Sequence, residues 1–193
     1  MFNNIQLLNP DFYIECENLK NFKEVYEIFR GNGVVKAYVY TMGYRTSPFQ
    51  INFLKQGMSH PNLTGREYQV GERVCRQISH LPGWDSFPIS DHGNDFYCGI
   101  KRLIKLEKLK ESFNKNDLIV GVWDITTRYN NLSGIKINRE IEATEWAEGE
   151  LCNQYKKLYE YKPPLNYRDP SNSKSYKKGY VPVSVANNFI NLY

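Results

Sequence analysis

Tyrosine, lysine and arginine side chains occur where they could act on a phosphate ester. Tyr38 and Tyr40 lie in the run AYVY, Lys55 in LKQG and Arg73 in GERVCRQISHL. An ammonium close to a tyrosine hydroxyl favours the phenolate and lowers the tyrosine pKa from about 10, so that the tyrosine could act as a general base. An arginine offers a planar, permanently charged fork for a phosphate oxygen.

A carboxylate is predicted on the apolar side of a long helix. In the helical pattern of residues 139–161, Glu148 falls on the core-facing stripe, whereas Glu150 points away. A glutamate in that place needs a partner, which could be Arg73 or a hard cation such as Mg²⁺. Tyrosine, lysine, arginine and one carboxylate suit a one-metal phosphodiesterase better than a protease.

The elements that would position these residues can be predicted from periodicity and breakers. An amphipathic helix over 17–30 is stopped by the GNG of residues 31–33. The later pattern predicts strands at 34–42, 51–57 and 117–125 and helices at 71–81, 96–113 and 139–161. The first two strands would pair as an antiparallel hairpin, and the third would be buried. We therefore expect an α+β fold, with a small three-stranded mixed or antiparallel sheet flanked by helices.

The length and composition limit the class of protein. With 193 residues, we expect one core with decorations. The sequence has neither an apolar run long enough to span a bilayer nor a secretory signal, which predicts a cytoplasmic protein without a membrane partner. The four cysteines are widely spaced, which favours reduced, packed thiols over a zinc site.

The basic charge is concentrated near the end of the sequence. The net charge is +4, and residues 162–193 contain five Lys or Arg residues against one Asp. Such a tail suits phosphate contact, although it could instead serve only for solubility. The expected organisation is an N-terminal helical extension (1–33), a core (34–167) and a basic C-terminal extension (168–193).

Four motifs resemble, in order, those of the GIY-YIG nuclease superfamily. They are AYVY (37–40), LKQGMS (54–59), GERVCRQISHL (71–81) and EWAEGELCNQYKKLYEYKPPLN (145–166). The resemblance covers residues 34–167, and its most specific part is the last motif. Lys55 stands where the superfamily usually has its second tyrosine, a replacement that resembles a branch containing certain type II restriction endonucleases.

The resemblance implies a role for each matching residue. Tyr40 would be the general base or its stabilising partner, Lys55 would assist its deprotonation, and Arg73 would bind the scissile phosphate. Glu148 would hold Mg²⁺ or Mn²⁺, with Glu145 and Glu150 as alternative ligands. Other implied site residues are Tyr38, a rival to Tyr40; Asn166, the terminal asparagine; and His80, since Gln77 occupies the position where the family often has His or Tyr.

The implied function is metal-dependent hydrolysis of double-stranded DNA, by a sequence-specific enzyme of the restriction type that could act as a homodimer. The alternatives are a phage or mobile-element nuclease of low specificity, a catalytically silent DNA-binding module, and a structural protein with a solubilising tail. Seven cationic residues are candidates for contacts with the DNA backbone: Lys101, Arg102, Lys105, Lys108, Lys174, Lys177 and Lys178.

Overall fold

The computed structural model describes residues 7, 9–34, 36–47, 50–60, 69–87, 95–128, 140–160 and 162–166. The strands are β1 (Phe12–Glu15), β2 (Tyr38–Ser47), β3 (Gln50–Ser59) and β4 (Leu118–Asp124). The helices are α1 (Glu24–Gly31), α2 (Glu72–Ile78), α3 (Asp95–Lys105) and α4 (Glu140–Tyr159). Short 3-10 helices span Cys16–Asn18 and Lys115–Asp117, and residues 125–128 are helical. Within these ranges, no helix combines the length and apolar character needed to cross a membrane.

The four strands form one antiparallel sheet in the order β1-β4-β2-β3. The α+β class, the antiparallel β2–β3 pair and the burial of β4 are as predicted. In the β2–β3 pair, Tyr40 lies opposite Gly57 and Met42 opposite Lys55. Since alternate residues of a strand share a face, this register places Tyr38, Tyr40 and Lys55 on the same side of the sheet.

Helices cover both sides of the sheet. On one side, Tyr38, Tyr40 and Met42 pack into the main core with side chains from α1, α2 and α3. On the other side, Val39 and Trp123 pack against the α4 residues Ala143, Ala147 and Leu151. The small residues Ala143 and Ala147 allow α4 to lie close to the sheet.

The predicted number of strands was wrong, because β1 adds a fourth. This strand lies within the segment expected to be a helical extension, and it pairs with β4 from Phe12 opposite Val122 to Glu15 opposite Ile119. Its four residues are too few for the alternation of buried and exposed side chains to stand out in sequence. The N-terminal segment therefore contributes directly to the sheet.

Two helices are shorter than the apolar pattern suggested. The helix predicted at 17–30 begins at Glu24 as α1, and the helix predicted at 96–113 ends at Lys105 as α3. Glu107 has a φ of 56°, which turns the chain out of the helix. Leu109 and Phe113 nevertheless reach the main core, because the chain folds back over it. The spacing of Leu109 and Phe113 matches that of a longer helix, and for this reason the sequence predicted a helix as far as residue 113.

Residues 162–166 cover one edge of the sheet. The backbone N–H of Leu165 donates to the carbonyl of Leu54 at 2.9 Å. The Asn166 side chain accepts from the backbone N–H of Gln56 at 2.9 Å and donates to its carbonyl at 3.0 Å. The edge strand β3 is thus paired at Leu54 and Gln56, beside Lys55.

Candidate functional site

Strand β2 places Tyr40 in the site and Tyr38 deeper in the core. The Tyr38 ring packs on Phe29 of α1 at a centroid distance of 4.6 Å, and the Tyr40 ring lies 6.2 Å from Tyr38. Tyr40 is hydrogen-bonded through its hydroxyl to the Arg73 side chain. Of the two rival tyrosines, the structure therefore joins Tyr40 to another proposed site residue.

Gly57 leaves the space that the Tyr40 ring occupies. A Cβ atom built on Gly57 would lie 2.5 Å from the Tyr40 hydroxyl oxygen and 2.6 Å from its Cζ atom. Real Cβ atoms essentially never approach so closely. The absence of a side chain at residue 57 therefore lets Tyr40 lie across the neighbouring strand.

The expected lowering of the Tyr40 pKa was wrong. Burial raises the pKa of Tyr40 to about 12, and the positive charge and hydrogen bond of Arg73 only partly oppose this effect. The cation that contacts the hydroxyl is thus Arg73 of α2, with Lys55 placed elsewhere in the site. At neutral pH the Tyr40 hydroxyl keeps its proton.

Lys55 lies between β3, α2 and α3. Its Nζ atom donates a hydrogen bond to Gln77 Oε1 at 2.8 Å and lies 6.0 Å from the centroid of the Phe96 ring. Burial, helped by the charge of Arg73, lowers the pKa of Lys55 to about 8, against the opposing charges of Asp95 and Glu148. A substantial neutral fraction therefore exists at mildly alkaline pH.

Glu148 reaches the same site from α4, as its place on the helical stripe predicted. Burial is the main reason that the pKa of Glu148 rises to about 7; the Glu145 carboxylate also raises it, while Arg73 and Lys55 lower it. Of the two alternative carboxylates, Glu145 therefore acts on Glu148, whereas Glu150 accepts a hydrogen bond from Gln154 at 3.3 Å. We call Tyr40, Lys55, Arg73 and Glu148 the site cluster.

Asn166 supports this cluster from outside it. Besides its two bonds with Asn166, Gln56 donates from Nε2 to the backbone carbonyl of Glu148 at 2.8 Å. The asparagine, the edge strand and α4 are therefore joined through one glutamine. This arrangement fixes the helix that carries Glu148 relative to the strand that carries Lys55.

The remaining predicted residues lie in different surroundings. The Nδ1 atom of His80 is 3.2 Å from Ser79 Oγ, and its ring lies 6.3 Å from that of Tyr97, which places it between α2 and α3. Lys101, Arg102 and Lys105 are exposed on α3, and Lys108 is exposed just beyond that helix. Lys101 lies over the Tyr97 ring at 4.6 Å. Lys174, Lys177 and Lys178 lie outside the described residues.

Two contacts in the site were missed from sequence. Gln77 was noted only as a departure from the family pattern, and Asp95 was not considered, although Gln77 accepts a hydrogen bond from Lys55 and the charge of Asp95 acts on that lysine. The available signal for Gln77 was its position four residues after Arg73, which puts both side chains on one face of α2. Asp95 precedes an apolar helical face, which gives no hint of a partner in β3.

The donor set fits one hard cation. Among the residues described, no group of three or more His, Cys, Asp or Glu side chains comes together as a metal site. Mg²⁺, however, is commonly held by one or two carboxylates, with water and substrate phosphate oxygens completing its shell. The Glu148 carboxyl, with Glu145 nearby on the same helix, matches that chemistry.

Together, the sheet, the helices and the site cluster define an α+β protein with a compact polar site built from two strands and two helices. No protein-family model matches the chain, and neither a curated protein nor a solved structure gives a match.

Proposed function

We propose that the protein is a divalent-metal-dependent DNA endonuclease similar to the GIY-YIG superfamily, and that it cuts at specific sequences in the manner of a restriction enzyme. The observation that carries this proposal is the meeting of Tyr40, Lys55, Arg73 and Glu148. They come from four different elements; Arg73 is hydrogen-bonded to Tyr40, and its charge also acts on Lys55 and Glu148. The motif order of the superfamily assigns these same four positions to catalysis.

Arg73 would bind the scissile phosphate. Its side chain is exposed while it holds the Tyr40 hydroxyl, and a guanidinium has five N–H donors. Donors not used by Tyr40 can therefore turn to phosphate oxygens. The hydrogen bond to the buried tyrosine would hold the guanidinium in a fixed orientation, which favours two-point contact with the phosphate.

Lys55 and Tyr40 would have different roles: Lys55 would act as the base, and Tyr40 would orient the other groups. A water molecule attacks the phosphorus, the bond to the 3′-oxygen breaks, and the products are a 5′-phosphate and a 3′-hydroxyl. The neutral amine of Lys55 accepts the proton of the attacking water, and the departing oxygen takes a proton from solvent. Tyr40, which keeps its proton at neutral pH, orients Arg73 and the water as the stabilising partner.

Glu148 would hold Mg²⁺ or Mn²⁺. When bound, such an ion supplies positive charge for the oxygen that leaves. The ion would also stabilise the ionised form of this carboxyl, whose pKa of about 7 in the free protein reflects the cost of ionisation in a buried place.

The exposed cations of α3 suggest the direction of the bound duplex. Helix α3 begins beside the site, because Asp95 acts on Lys55 and Phe96 lies under its ammonium. Lys101, Arg102 and Lys105 follow on the same helix, and Lys105 lies about 15 Å along its axis from Asp95. We propose that the DNA backbone runs from the site along this helix. These contacts would provide affinity, whereas base choice would depend on other residues.

The test is cleavage of mixed phage and plasmid DNA with Mg²⁺, with Mn²⁺ and with chelator. Glu148→Gln should abolish cleavage and retain binding, while Glu150→Gln on the same helix is the matched control and should cleave normally. Discrete bands support a restriction-type enzyme, and a smear supports a phage-type nuclease of low specificity. Salt-sensitive binding without cleavage under any condition would refute the proposal in favour of a silent DNA-binding module.

A homodimer would explain cutting of both strands, because the described part of each chain contains one site cluster. Two protomers related by a twofold axis match the symmetry of a palindromic target. Sedimentation of the protein with and without a cleavable duplex would measure the stoichiometry. Two chains per duplex are expected.

A further inference from the structure

Gln77 holds the only lysine of the site cluster by a well-formed hydrogen bond. Its Oε1 atom accepts from Lys55 Nζ at 2.8 Å, which is within the normal range for a hydrogen bond from a charged donor. The two residues belong to α2 and β3, so that the bond crosses between a helix and the sheet. Lysine side chains are long and flexible, and this contact restricts the one in the site.

The chemistry of glutamine suits this task. A lysine ammonium has three donors, and one amide oxygen occupies one of them, which leaves two for water or a phosphate oxygen. The amide adds no net negative charge. Three charges already act on Lys55: Arg73 of α2, Asp95 of α3 and Glu148 of α4. A neutral acceptor can therefore orient the nitrogen without adding a negative charge that would favour its protonated form.

The position of Gln77 also links the lysine to the phosphate-binding arginine. Arg73 and Gln77 lie four residues apart on α2, so their side chains are neighbours on one helical face. A single short helix thus holds the Tyr40 hydroxyl through Arg73 and the Lys55 nitrogen through Gln77. The placement of Lys55 relative to Tyr40 therefore depends on that helix.

We propose that Gln77 is a positioning residue, which fixes the Lys55 nitrogen relative to Tyr40 and Arg73 for the chemical step. The catalytic part of this proposal rests on the proposed nuclease function. The positioning part does not, because it concerns a contact within the free protein.

The contact is tested first without DNA or metal. The protein labelled with ¹⁵N-lysine is observed by a ¹⁵N–¹H experiment selective for ammonium groups, and the Lys55 signal is assigned by its loss in Lys55→Arg. Hydrogen-bonded ammonium protons exchange slowly with water. Gln77→Met, which keeps the length and removes the acceptor, should speed this exchange until the signal is lost. Gln77→Glu, which keeps an acceptor, should retain the signal.

Kinetics then separate a positioning role from a merely structural one. Gln77→Met should lower kcat about 10- to 100-fold, the usual effect of losing a hydrogen bond to a charged group, with KM within about 2-fold of wild type. Gln77→Glu keeps the acceptor but adds a charge that favours the ammonium of Lys55 over the neutral amine, so kcat should recover only at higher pH. KM should rise, since the same charge repels the DNA backbone. Arg76→Gln, on the same helix but paired with Glu72 at the surface, is the control and should keep kcat.

Either of two results would overturn the proposal: a Lys55 signal unchanged in Gln77→Met, or an unchanged kcat in that variant when the wild type is active. If circular dichroism shows that a Gln77 variant is unfolded, Gln77→Leu takes its place and is compared with the wild type in the same way. If the wild type cleaves no DNA with either metal, the catalytic part is refuted together with the proposed function, and the exchange measurement alone decides the positioning part.

Discussion

Replacing Gly57 by alanine should damage the site by displacing one ring. The new Cβ atom would lie 2.5 Å from the Tyr40 hydroxyl oxygen and 2.6 Å from Cζ, whereas ordinary contacts begin at about 3.4 Å. The ring must therefore move by roughly 1 Å, which would strain or break the hydrogen bond between Tyr40 and Arg73. Because Tyr40 is fully buried, neighbouring side chains in the main core must move with it.

The size of the effect follows from the two consequences of this movement. Overpacking a well-filled core typically costs about 1 to 3 kcal/mol of unfolding free energy. A misplacement of about 1 Å in the groups that orient a reaction can lower the rate by about 100-fold. Gly57→Ala should therefore unfold at lower urea concentration and lose about two orders of magnitude in kcat. Gly31→Ala is the matched control, because a Cβ there meets nothing within 4 Å, and it should be neutral or stabilising.

The assay combines urea unfolding with single-turnover cleavage of a plasmid. A second variant separates the ring from the backbone: in Tyr40→Leu, which shortens the side chain below residue 57, the added methyl group of Gly57→Ala should cost much less stability than in the wild type. The reasoning fails if Gly57→Ala is as stable as Gly31→Ala, or if its cost is the same in both backgrounds.

Three further predictions concern charge. Burial raises the pKa of Glu148 to about 7 in the folded protein. Between about pH 4.5 and 7 the folded state therefore keeps a proton on Glu148 that the unfolded state has released. Because of this difference, the free energy of unfolding falls as the pH rises through that range. Glu148→Gln should therefore be more stable at pH 8 by roughly 1 to 3 kcal/mol, as measured by urea unfolding without metal, and Mg²⁺ should raise the Tm of the wild type only. The lowered pKa of Lys55 predicts that kcat/KM rises up to about pH 8 and is constant above it. Lys55→Arg, which stays charged, should not show this rise with pH. A wild-type kcat/KM that is constant from about pH 6 to 9 would contradict the prediction. Lys101→Gln and Lys105→Gln should each reduce the slope of log binding constant against log salt by about 0.9 if the side chain contacts a phosphate, whereas Lys110→Gln, whose ammonium pairs with Asp117, should leave the slope unchanged.

The sequence was most informative where the residue type was out of place in its periodic pattern. Glu148 could be assigned to the core-facing side of α4 because a carboxylate interrupts an apolar stripe, and Tyr38 and Tyr40 share a face because the strand period is two. The alternation also left Tyr38 and Tyr40 equivalent. The packing of Tyr38 on Phe29 and the hydrogen bond of Tyr40 to Arg73 distinguish them, and these contacts depend on how α1 and α2 lie on the sheet.

Other features could not be predicted because they depend on contacts distant in sequence. The pKa of Tyr40 is set by burial, which a strand pattern does not measure, and its sign was therefore wrong. The Lys55 to Gln77 bond joins residues 22 positions apart in two elements. Strand β1 forms because it can pair with the backbone of β4, which is far from it in sequence. The catalytic and DNA-binding roles of the site residues remain predictions.

The pairing of residues 162–166 with the edge strand β3 also affects how shortened forms of the protein should behave. Free N–H and C=O groups on an edge strand act as a template for pairing with other chains. At β3 the carbonyl of Leu54 and both backbone groups of Gln56 are already used by Leu165 and Asn166. A chain cut before residue 162 would present these groups beside Lys55, so two copies could pair edge to edge across the site. Loss of activity on trimming would then reflect self-association, and light scattering would separate it from loss of a catalytic group.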